Sequence, residues 1–489
     1  MDPRTPVLVG VGTAMQRGDD PNQAREPVAL MVEALLRAAD DAECPALLRR
    51  ADSIRVPRGI WPYRDPARII ADALGAGSAR TQLAQIGVLQ TALLGGAARD
   101  ILESRCDVVL VAGGEAKWRS LTARKRGVEE RLTRQPEAVA PDEELAPDRA
   151  IMHPLEIELE LTRPVRQYAM VETALRHAAQ STPEAHARRM ATLWAGMSRV
   201  ASRNPDAWRR DAVSAEQILD LSDGNRMLAY PYTVLLNSQW NVDQAAGLIL
   251  CALGVVRSLG LDESRLVYPL AVAESNCALT LAERADPASC PGFALAAQRA
   301  LSQAGLSLAD VTHLELYSCF PAAVQVQLRE LGLSAERPLT VTGGMAFAGG
   351  PLNNFVLQAV AKMAQVLRAD PGSRGLVTAV SAVLTKQGVS LWSSSEPTAP
   401  FAYADVSAQV ATQWRAVDVV AGARGRARVA GYTVVHDHAG PSRAIALCDL
   451  DSGGRSLAFS TDPELMAEME SSEFCGRAVQ VDEREFSAA

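Results

Sequence analysis

The stretch Leu314–Gln325 contains two side chains that could carry out chemistry. It reads L-E-L-Y-S-C-F-P-A-A-V-Q and places Tyr317 two positions before Cys319. The Cys319 thiol could move a proton, or it could be a small apolar residue at the end of a strand. The Tyr317 phenol could donate a hydrogen bond to an oxyanion, or accept a proton if its pKa falls. The alternative for Tyr317 is an aromatic ring that only fills space.

A glycine-rich segment, G-G-M-A-F-A-G-G-P, follows the next apolar run. Its glycines allow the backbone to approach a ligand or to form a tight turn, and both uses can hold together. These candidate substrate-binding residues are Gly343, Gly344, Gly349 and Gly350. Asn353 follows the segment and is a further candidate, although it or Asn354 could instead cap the next helix.

Another group of polar residues precedes the apolar run Ala245–Val256. Asn237 is the candidate for the pocket, with Ser238 and Asn241 beside it, and Asp243 could line the pocket or cap a helix. The apolar run is about a dozen residues long, which is too short to span a bilayer. We predict a buried helix for it.

Two further clusters offer chemistry but are more simply explained. His436 and His438 would share one face of a strand, but the sequence supplies no third or fourth metal ligand near them. The basic run Arg124–Arg126 could meet a phosphate, although a solvated loop is the more common use of such a run. We predict no bound metal.

The composition excludes several classes of function. The formal net charge is −8, which disfavours a broad nucleic-acid or anionic-membrane surface. The beginning of the chain carries no signal-peptide pattern, and the eight cysteines lie far apart without a C-x-x-C pair. We therefore expect a cytoplasmic protein with free thiols and no nucleic-acid or membrane partner.

The elements that must position these residues alternate between strand and helix. Pro6–Gly12, Asp52–Val56 and Asp107–Ala112 are typical of strands, and Pro27–Asp40 and Thr91–Leu102 of helices. The same order returns around Tyr317 and the glycine segment. This indicates an α/β protein with a degenerate internal duplication.

The remaining segments divide the chain further. A charged stretch from Lys117 to about Arg226 resembles an inserted, partly exposed excursion, and Ser393–Ala404 resembles a linker. The tail contains β-like runs separated by turn residues, which favours a small β-domain. We expect an N-terminal half at 1–260 with its insertion at about 117–228, a C-terminal half at 261–395 and a β-domain at 405–489.

Three motifs, in order and spacing, resemble the thiolase superfamily over roughly residues 5–395. Tyr317–Phe320 resembles the N-E-A-F or H-D-C-F motif, and Gly343–Pro351 the G-G-x-x-x-x-G-H-P loop. The third motif is the strand D-V-V-L-V-A-G-G-E-A. The chain is most similar to bacterial thiolase-like proteins, commonly labelled acetyl-CoA acetyltransferases, that carry Y-S-C-F-P, an N-R-M-x-x-x-P-Y-T segment and an added C-terminal β-domain. The resemblance implies an αβαβα core of two similar halves, a CoA or acyl-CoA ligand and no tightly bound cofactor.

The catalytic positions that the resemblance implies have changed. The nucleophilic cysteine would lie near Val88, but the local sequence A-Q-I-G-V-L-Q-T-A has none, and Cys106 is at the wrong end of the helix. Gly350 replaces a histidine, Tyr317 replaces an asparagine or histidine, and Val380–Ala382 lacks the late cysteine. A covalent acyl-enzyme on cysteine is therefore not expected.

The resemblance leaves three functions open. One is a CoA-thioester acyltransferase, or an enzyme that forms or cleaves C–C bonds, with Tyr317 and Cys319 as its catalytic groups. The second is a retro-aldolase on β-hydroxyacyl-CoA, since thiolase-fold aldolases work with an OB-like β-domain partner. The third is a non-catalytic CoA-binding or scaffolding protein. The sequence allows a homodimer or a monomer.

Overall fold

The computed structural model describes residues 1–18 and 20–489. The N-terminal elements alternate between strand and helix as the sequence predicts. They are β1 (Pro6–Met15), α1 (Pro27–Asp41), α2 (Ala46–Arg49), β2 (Ser53–Pro57), α3 (Pro66–Leu74), β3 (Arg80–Ala84), α4 (Gln90–Leu102), β4 (Val108–Ala116) and α5 (Lys117–Arg126).

The middle of the chain is mainly helical before it returns to the sheet. Its elements are β5 (Glu143–Leu145), α6 (Pro154–Glu158), α7 (Pro164–Ala178), α8 (Pro183–Arg203), α9 (Ala215–Leu219), β6 (Met227–Ala229), β7 (Tyr232–Thr233), β8 (Asp243–Ala252) and α10 (Leu253–Leu259). Helix α7 lies in the segment expected to be partly exposed, yet most of its residues from Gln167 onwards are buried.

The next segment repeats the strand and helix alternation. Its elements are β9 (Tyr268–Ser275), α11 (Gly292–Gln303), β10 (His313–Glu315), α12 (Pro321–Leu331), α13 (Phe355–Ala369), β11 (Arg374–Ser381), β12 (Lys386–Ser393) and β13 (Ala402–Asp405). The expected linker Ser393–Ala404 is therefore only partly a linker, because β13 adds to the sheet in parallel with β9.

The tail folds mainly into strands. Its elements are α14 (Ser407–Gln413), β14 (Ala423–Asp437), β15 (Gly440–Leu450), β16 (Arg455–Ser460), α15 (Pro463–Ser471), β17 (Ala478–Glu483) and β18 (Glu485–Ala488). In sheet order β15-β16-β18-β17-β14, each strand pairs with the next, and β14 pairs back to β15. These pairings close the five strands into a barrel.

Two sheets carry the duplicated core. The first has the order β1-β8-β4-β2-β3-β5 and the second the order β10-β11-β12-β9-β13. The series β1-β8-β4-β2 and β9-β12-β11-β10 have the same sequence of directions: antiparallel, antiparallel, then parallel. The prediction of two similar halves is confirmed.

Helices α4 and α13 form the central layer, because each contacts strands of both sheets. Helix α1 covers the outer face of the first sheet, and α11 covers that of the second. The result is the layered αβαβα core that was expected. The two central helices occupy corresponding places in the two halves, each just before the third strand of its series, β4 for α4 and β11 for α13.

The prediction of a helix at Ala245–Val256 is wrong. Most of this run is β8, which pairs with β1 on one side and β4 on the other, and α10 begins only at Leu253. Every residue of β8 is buried, because helices cover both faces of the first sheet. A strand buried on both faces has no apolar–polar alternation, so its sequence resembles that of a buried helix.

Candidate active site

The beginnings of the two central helices meet in the middle of the core. Helix α4 begins at Gln90 and α13 at Phe355. The Gln90 side chain donates a hydrogen bond to Asn353 Oδ1, and Asn353 Nδ2 donates to the Arg58 carbonyl at 3.2 Å. The partial positive charges of two helix N-termini therefore act on the same region.

Tyr317 lies at the end of β10, beside the first residue of α13. Its backbone N–H donates to Thr378 Oγ1 at 2.7 Å, and its ring meets the Phe355 ring edge-on at a centroid distance of 5.9 Å. The side chain is half-buried, and desolvation raises the phenol pKa, with a further increase from Cys319. At neutral pH Tyr317 is therefore a hydrogen-bond donor and not a base.

Cys319 is a buried thiol with 7% of its surface exposed. Desolvation raises its pKa to about 12, although a hydrogen bond with the Tyr168 hydroxyl opposes the increase. The Tyr168 hydroxyl also donates to the Ala382 carbonyl at 3.2 Å. The thiol is therefore protonated at neutral pH, which argues against a nucleophilic role. Proton exchange is the chemical role that remains for it.

The segment around Cys319 is held by aromatic stacking. The Phe320 ring stacks on Tyr168 at 4.7 Å and on Tyr232 at 5.3 Å. The Tyr232 hydroxyl accepts from the Ala322 backbone N–H at 3.2 Å and donates to Glu172 at 2.6 Å. These contacts fix the start of α12 and, with it, the position of Cys319.

The glycine segment packs against other parts of the core. Gly343 has φ +103°, and a Cβ there would lie 2.4 Å from the backbone of Ala201 in α8. A Cβ at Gly349 would lie 2.0 Å from Gln244 Oε1. The Met345 N–H donates to Ser318 Oγ at 3.1 Å, which joins the segment to Tyr317–Phe320. Much of the glycine requirement therefore comes from packing.

Gly344 and Gly350 have different neighbours. Beside Gly344 lie Met197 Sδ, which a Cβ would meet at 2.7 Å, and Ser318 Oγ. A Cβ at Gly350 would lie 3.1 Å from Met345 Cε and 3.5 Å from Ser238 Cβ. A side chain at Gly350 would therefore need Met345 to shift by a few tenths of an ångström.

The asparagines do not act as helix caps. Asn354 is the N-cap of α13, but its side chain makes no capping hydrogen bond, and Asn353 bonds to Gln90 and Arg58 instead. Asn237 is half-buried, and its backbone N–H donates to the Val234 carbonyl at 3.3 Å. Asp243 does cap a helix, because its carboxylate accepts from the Arg119 N–H in the first turn of α5.

Asn354 and Gln90 are candidates that the sequence analysis missed. Asn354 is 2% exposed, and among the described residues neither polar atom of its amide has a hydrogen-bond partner. Gln90 Oε1 is likewise buried and unpaired within residues 1–18 and 20–489. Buried amides without partners cost free energy, so they mark a place where a ligand or water would bind. The sequence feature that could have identified both candidates is a polar residue at the start of each central helix.

The expected nucleophile position carries no nucleophile. The N-cap of α4 is Leu89, and Val88 precedes it. Thr91, the nearest hydroxyl, donates to Glu274 Oε1 in the second sheet. Cys106 lies between the end of α4 and the start of β4, as predicted.

A cavity of about 720 Å³ lies beside α4. Val88, Gly96 and Arg99 line it from the helix, and Glu274, Lys386 and Tyr403 line it from the second sheet. Tyr317 and Cys319 do not line this cavity. Desolvation raises the Glu274 pKa to about 7, against the hydrogen bonds from Thr91 and Tyr403. The sequence analysis singled out neither Glu274 nor Lys386.

The remaining sequence candidates lie elsewhere. His436 pairs with Glu470 at 2.5 Å, and Arg124–Arg126 forms the last turn of α5. Across residues 1–18 and 20–489, no cluster of three or more His, Cys, Asp or Glu side chains is arranged to hold a metal ion. No helix in the described part of the chain is long and apolar enough to span a membrane.

Comparison with solved structures identifies the fold. The whole chain superposes on the whole of a monomeric SCP2-thiolase-like protein type 1 from Mycobacterium smegmatis, with TM-score 0.84 and 27% identity. The Ltp2-ChsH2(DUF35) aldolase matches with TM-score 0.60 and 18% identity, covering 81% of this chain and 99% of that one. The Acat5 thiolase from Ascaris suum, in complex with coenzyme A, matches with TM-score 0.56 and 16% identity over 80% of this chain and 99% of that one. No protein-family model and no curated protein matches the sequence.

Proposed function

Since the chain has a thiolase-like fold over its full length, we propose that it binds acyl-CoA thioesters without forming an acyl-enzyme. In this proposal the ligand's thioester lies where α4 and α13 begin. Tyr317 donates its phenol hydrogen to the thioester oxygen, and Cys319 exchanges a proton with the carbon next to it. CoA is a substrate or ligand, and no cofactor is bound tightly.

The observation that carries this proposal is the unpaired amide of Asn354 between two helix N-termini. An amide N–H in a buried site gains a full hydrogen bond when a carbonyl oxygen arrives, and the helix dipoles favour negative charge on that oxygen. Leu352, two residues before Asn354, has a φ of +42°, which is uncommon outside glycine and recurs at ligand sites.

Within this proposal, the reaction breaks or forms a C–C bond at the α and β carbons of the acyl group. The start of α4 offers no nucleophile, and the Cys319 thiol stays protonated, so a thiolase-type acyl transfer through cysteine is disfavoured. In the cleavage direction the step balances with these groups: the protonated Cys319 gives its proton to the α-carbon as the C–C bond breaks, the thiol of free CoA takes the released acyl group, and the proton of that thiol restores Cys319.

A second candidate function is retro-aldol cleavage of a β-hydroxyacyl-CoA. It is favoured by the barrel formed by the tail, in which the strands lie in the order β14-β15-β16-β18-β17 and α15 follows β16 along the chain. We propose that this barrel is OB-like and spans about 405–489, extended by β6 and β7 from the insertion. The name of the Ltp2-ChsH2(DUF35) aldolase covers two components. This chain would then combine a thiolase-like part and a barrel in one polypeptide.

A non-catalytic CoA-binding or scaffolding protein is the third candidate, and its support is the simultaneous loss of the cysteines and the histidine. We further propose a cytoplasmic monomer. In the first sheet β3 pairs with β5, a three-residue strand at the sheet edge, so β3 itself has no free edge for a second copy and only the short β5 has one. The monomeric state of the similar mycobacterial protein supports this proposal.

The test compares binding and turnover. Thermal unfolding is measured with free CoA, acetyl-CoA, acetoacetyl-CoA and a long-chain β-hydroxyacyl-CoA, because a ligand specific for the folded state raises the melting temperature. We expect a shift with at least one ester. Product analysis then separates acyl transfer, retro-aldol cleavage and binding alone.

Two matched variants test whether turnover depends on Tyr317. Tyr317→Phe should lower turnover by about 100-fold or more, because an oxyanion donor is lost. Tyr268→Phe removes another buried hydroxyl of the core and should leave turnover unchanged. No shift with any ester at 1 mM would overturn the binding proposal, and equal turnover of Tyr317→Phe and the wild-type protein would overturn the role of Tyr317.

A further inference from the structure

Lysine is rare in this chain, and one of its lysines is buried. The sequence has only four, Lys117, Lys125, Lys362 and Lys386, among 49 basic residues. Lys386 is 3% exposed and lines the cavity beside α4, and within the described residues its amine makes no hydrogen bond or ion pair. Elsewhere the chain uses arginine for nearly every cation. A buried position that requires only a positive charge would be served by arginine in the same way.

The register of the second sheet places Lys386 and Glu274 on one face. Gly388 lies directly opposite Glu274, and Lys386 is two positions from Gly388 on the same strand, so the side chains of Lys386 and Glu274 point the same way. Gly388 leaves room for Thr91 of α4, whose hydroxyl a Cβ there would meet at 2.3 Å. Thr91 fills the space at Gly388, whereas Glu274 and Lys386 on the same face line the cavity.

Glu274 is an anchored acid in this cavity. It is 1% exposed, Thr91 donates to one carboxylate oxygen, and the Tyr403 hydroxyl donates to the other at 2.6 Å. Its pKa is raised to about 7 by burial. Burial lowers the Lys386 pKa, against the opposite effect of Asp148, Glu274 and Asp405. Burial thus favours the protonated, uncharged carboxyl of Glu274 and makes the neutral amine of Lys386 more accessible, which is the pair of forms that imine formation uses.

We propose that this cavity is a second site, which takes a small uncharged aldehyde or ketone and binds it as an imine on Lys386, with Glu274 as the proton donor. The unprotonated Nζ adds to the carbonyl carbon, and its proton moves to the oxygen to give a carbinolamine. Protonated Glu274 then gives its proton to the hydroxyl, which leaves as water. The nitrogen lone pair forms the C=N bond, and Glu274 is left as a carboxylate.

The surroundings favour a neutral carbonyl compound over an anion. The cavity lining carries both signs of charge, with Arg55, Arg80, Arg99 and Arg105 beside six carboxyl groups, so it offers no excess of positive charge to an anion. The groups that act on the amine itself are acidic, Asp148, Glu274 and Asp405. The volume of about 720 Å³ is sufficient for a small organic molecule. The site lies apart from Tyr317 and Cys319, and the inference does not depend on the proposed binding of CoA esters.

The experiment traps the imine in the folded wild-type protein. The protein is incubated at pH 7 with limiting propanal and cyanoborohydride, without any CoA ester, and the reduced adducts are located by peptide mass spectrometry. We expect Lys386 to be labelled about 10-fold faster than the exposed Lys125, because a neighbouring acid assists the loss of water. Labelling of Lys125 first, with Lys386 unmodified until the protein unfolds, would overturn the proposal.

Three variants isolate the chemistry. Lys386→Arg keeps the charge but not the nucleophilic amine, so it should lose only the adduct at position 386, whereas Lys362→Arg should leave that adduct unchanged. Glu274→Gln should slow labelling of Lys386 by about 10-fold or more. Thermal melting monitored by circular dichroism establishes that each variant is folded. A folded Glu274→Gln protein that is labelled at the wild-type rate would overturn the role of Glu274.

Discussion

At the residue scale, the site is dominated by buried groups whose protonation differs from that in water. Burial raises the pKa of Cys319 to about 12 and those of Glu274, Glu115 and Glu315 to about 7. A thiol with a raised pKa is in its protonated, unreactive form at neutral pH. For the carboxyl groups, the raised pKa means that ionisation in the folded protein costs free energy. Both consequences can be measured one residue at a time.

The first prediction concerns the reactivity of Cys319. Iodoacetamide reacts with thiolates, so Cys319 should remain unmodified at pH 8 in the folded protein and react after unfolding. The half-buried Cys44 is the internal control and should react first. Peptide mass spectrometry after timed labelling measures both rates. Modification of Cys319 as fast as Cys44 would contradict a buried, protonated thiol.

The second prediction concerns the pH dependence of stability through Glu274. Its folded pKa of about 7 lies above the value of about 4.3 for an unfolded glutamate, so the folded state holds the proton more tightly. Stability is therefore lost as the pH rises from about 4 to above 7, by roughly 3 kcal/mol for this group.

Urea unfolding at pH 5 and pH 8 measures this effect. Glu274→Gln, which resembles the protonated form, should gain stability relative to the wild-type protein by roughly 2–3 kcal/mol between the two pH values. The exposed Glu336→Gln should show no such change. A parallel pH dependence of Glu274→Gln and the wild-type protein would exclude a raised Glu274 pKa.

At the element scale, the glycine segment is positioned by the strand before it. The buried Glu315 at the end of β10 accepts from the Val341 and Thr342 backbone N–H groups, each at 2.8 Å, and from the hydroxyls of Thr340 and Thr342. One carboxylate thus fixes the turn that leads into Gly343. The segment is held on one side by β10 and on the other by α8.

The third prediction uses two glycines with similar backbone angles. Gly343→Ala places a Cβ 2.4 Å from the Ala201 backbone at φ +103°, and should destabilise the protein by about 3 kcal/mol or more. Gly372→Ala has φ +89° but open space around it, so it should cost only about 1–2 kcal/mol. Denaturant unfolding compares them, and equal costs would show that packing against α8 is unimportant.

Local patterns predicted much of the fold, because strands and helices with clear periodicity form as expected at β4, α4, α11 and α12. They also supplied the candidates Tyr317, Cys319 and the glycine segment, whose proposed roles come from the superfamily resemblance. They failed for β8, where burial on both faces removes the alternation. They also missed that Lys386 and Glu274 share one face of the second sheet, since more than 100 residues separate these two and only the strand register brings them together.

At the scale of the whole molecule, the C-terminal barrel is joined to the thiolase-like core by buried polar contacts. Thr173 of α7 donates to the Tyr432 carbonyl at 2.9 Å and accepts from the Tyr432 N–H at 3.0 Å. Arg176 donates to the hydroxyls of Tyr230 and Tyr432 and pairs with Glu473. Gly431 of β14 lies against Met170. The barrel therefore covers a face of α7 that would otherwise be exposed.

The fourth prediction is that removal of the barrel destabilises the rest of the chain. Deletion of residues 405–489 would expose the buried face of α7 and the cation of Arg176, so we expect an insoluble protein or a much lower melting temperature. Arg424→Ala, which removes only an exposed ion pair with Asp482 and Glu483, should change stability by less than about 0.5 kcal/mol. A soluble truncated chain with the wild-type melting temperature would show that the two parts are independent.

The pairing of β6 with β14 joins Ala229 to Val435, and this has a consequence for synthesis on the ribosome. At about 5–20 residues per second, the partner of β6 emerges roughly 10–40 s after β6 itself. During that interval the apolar side of the β6–β7 hairpin and the inner face of α7 are exposed, because the strands of the barrel that pack on them have not yet been synthesised. A chaperone that binds exposed apolar segments would therefore be most needed in the second half of translation, before the last strand has left the exit tunnel.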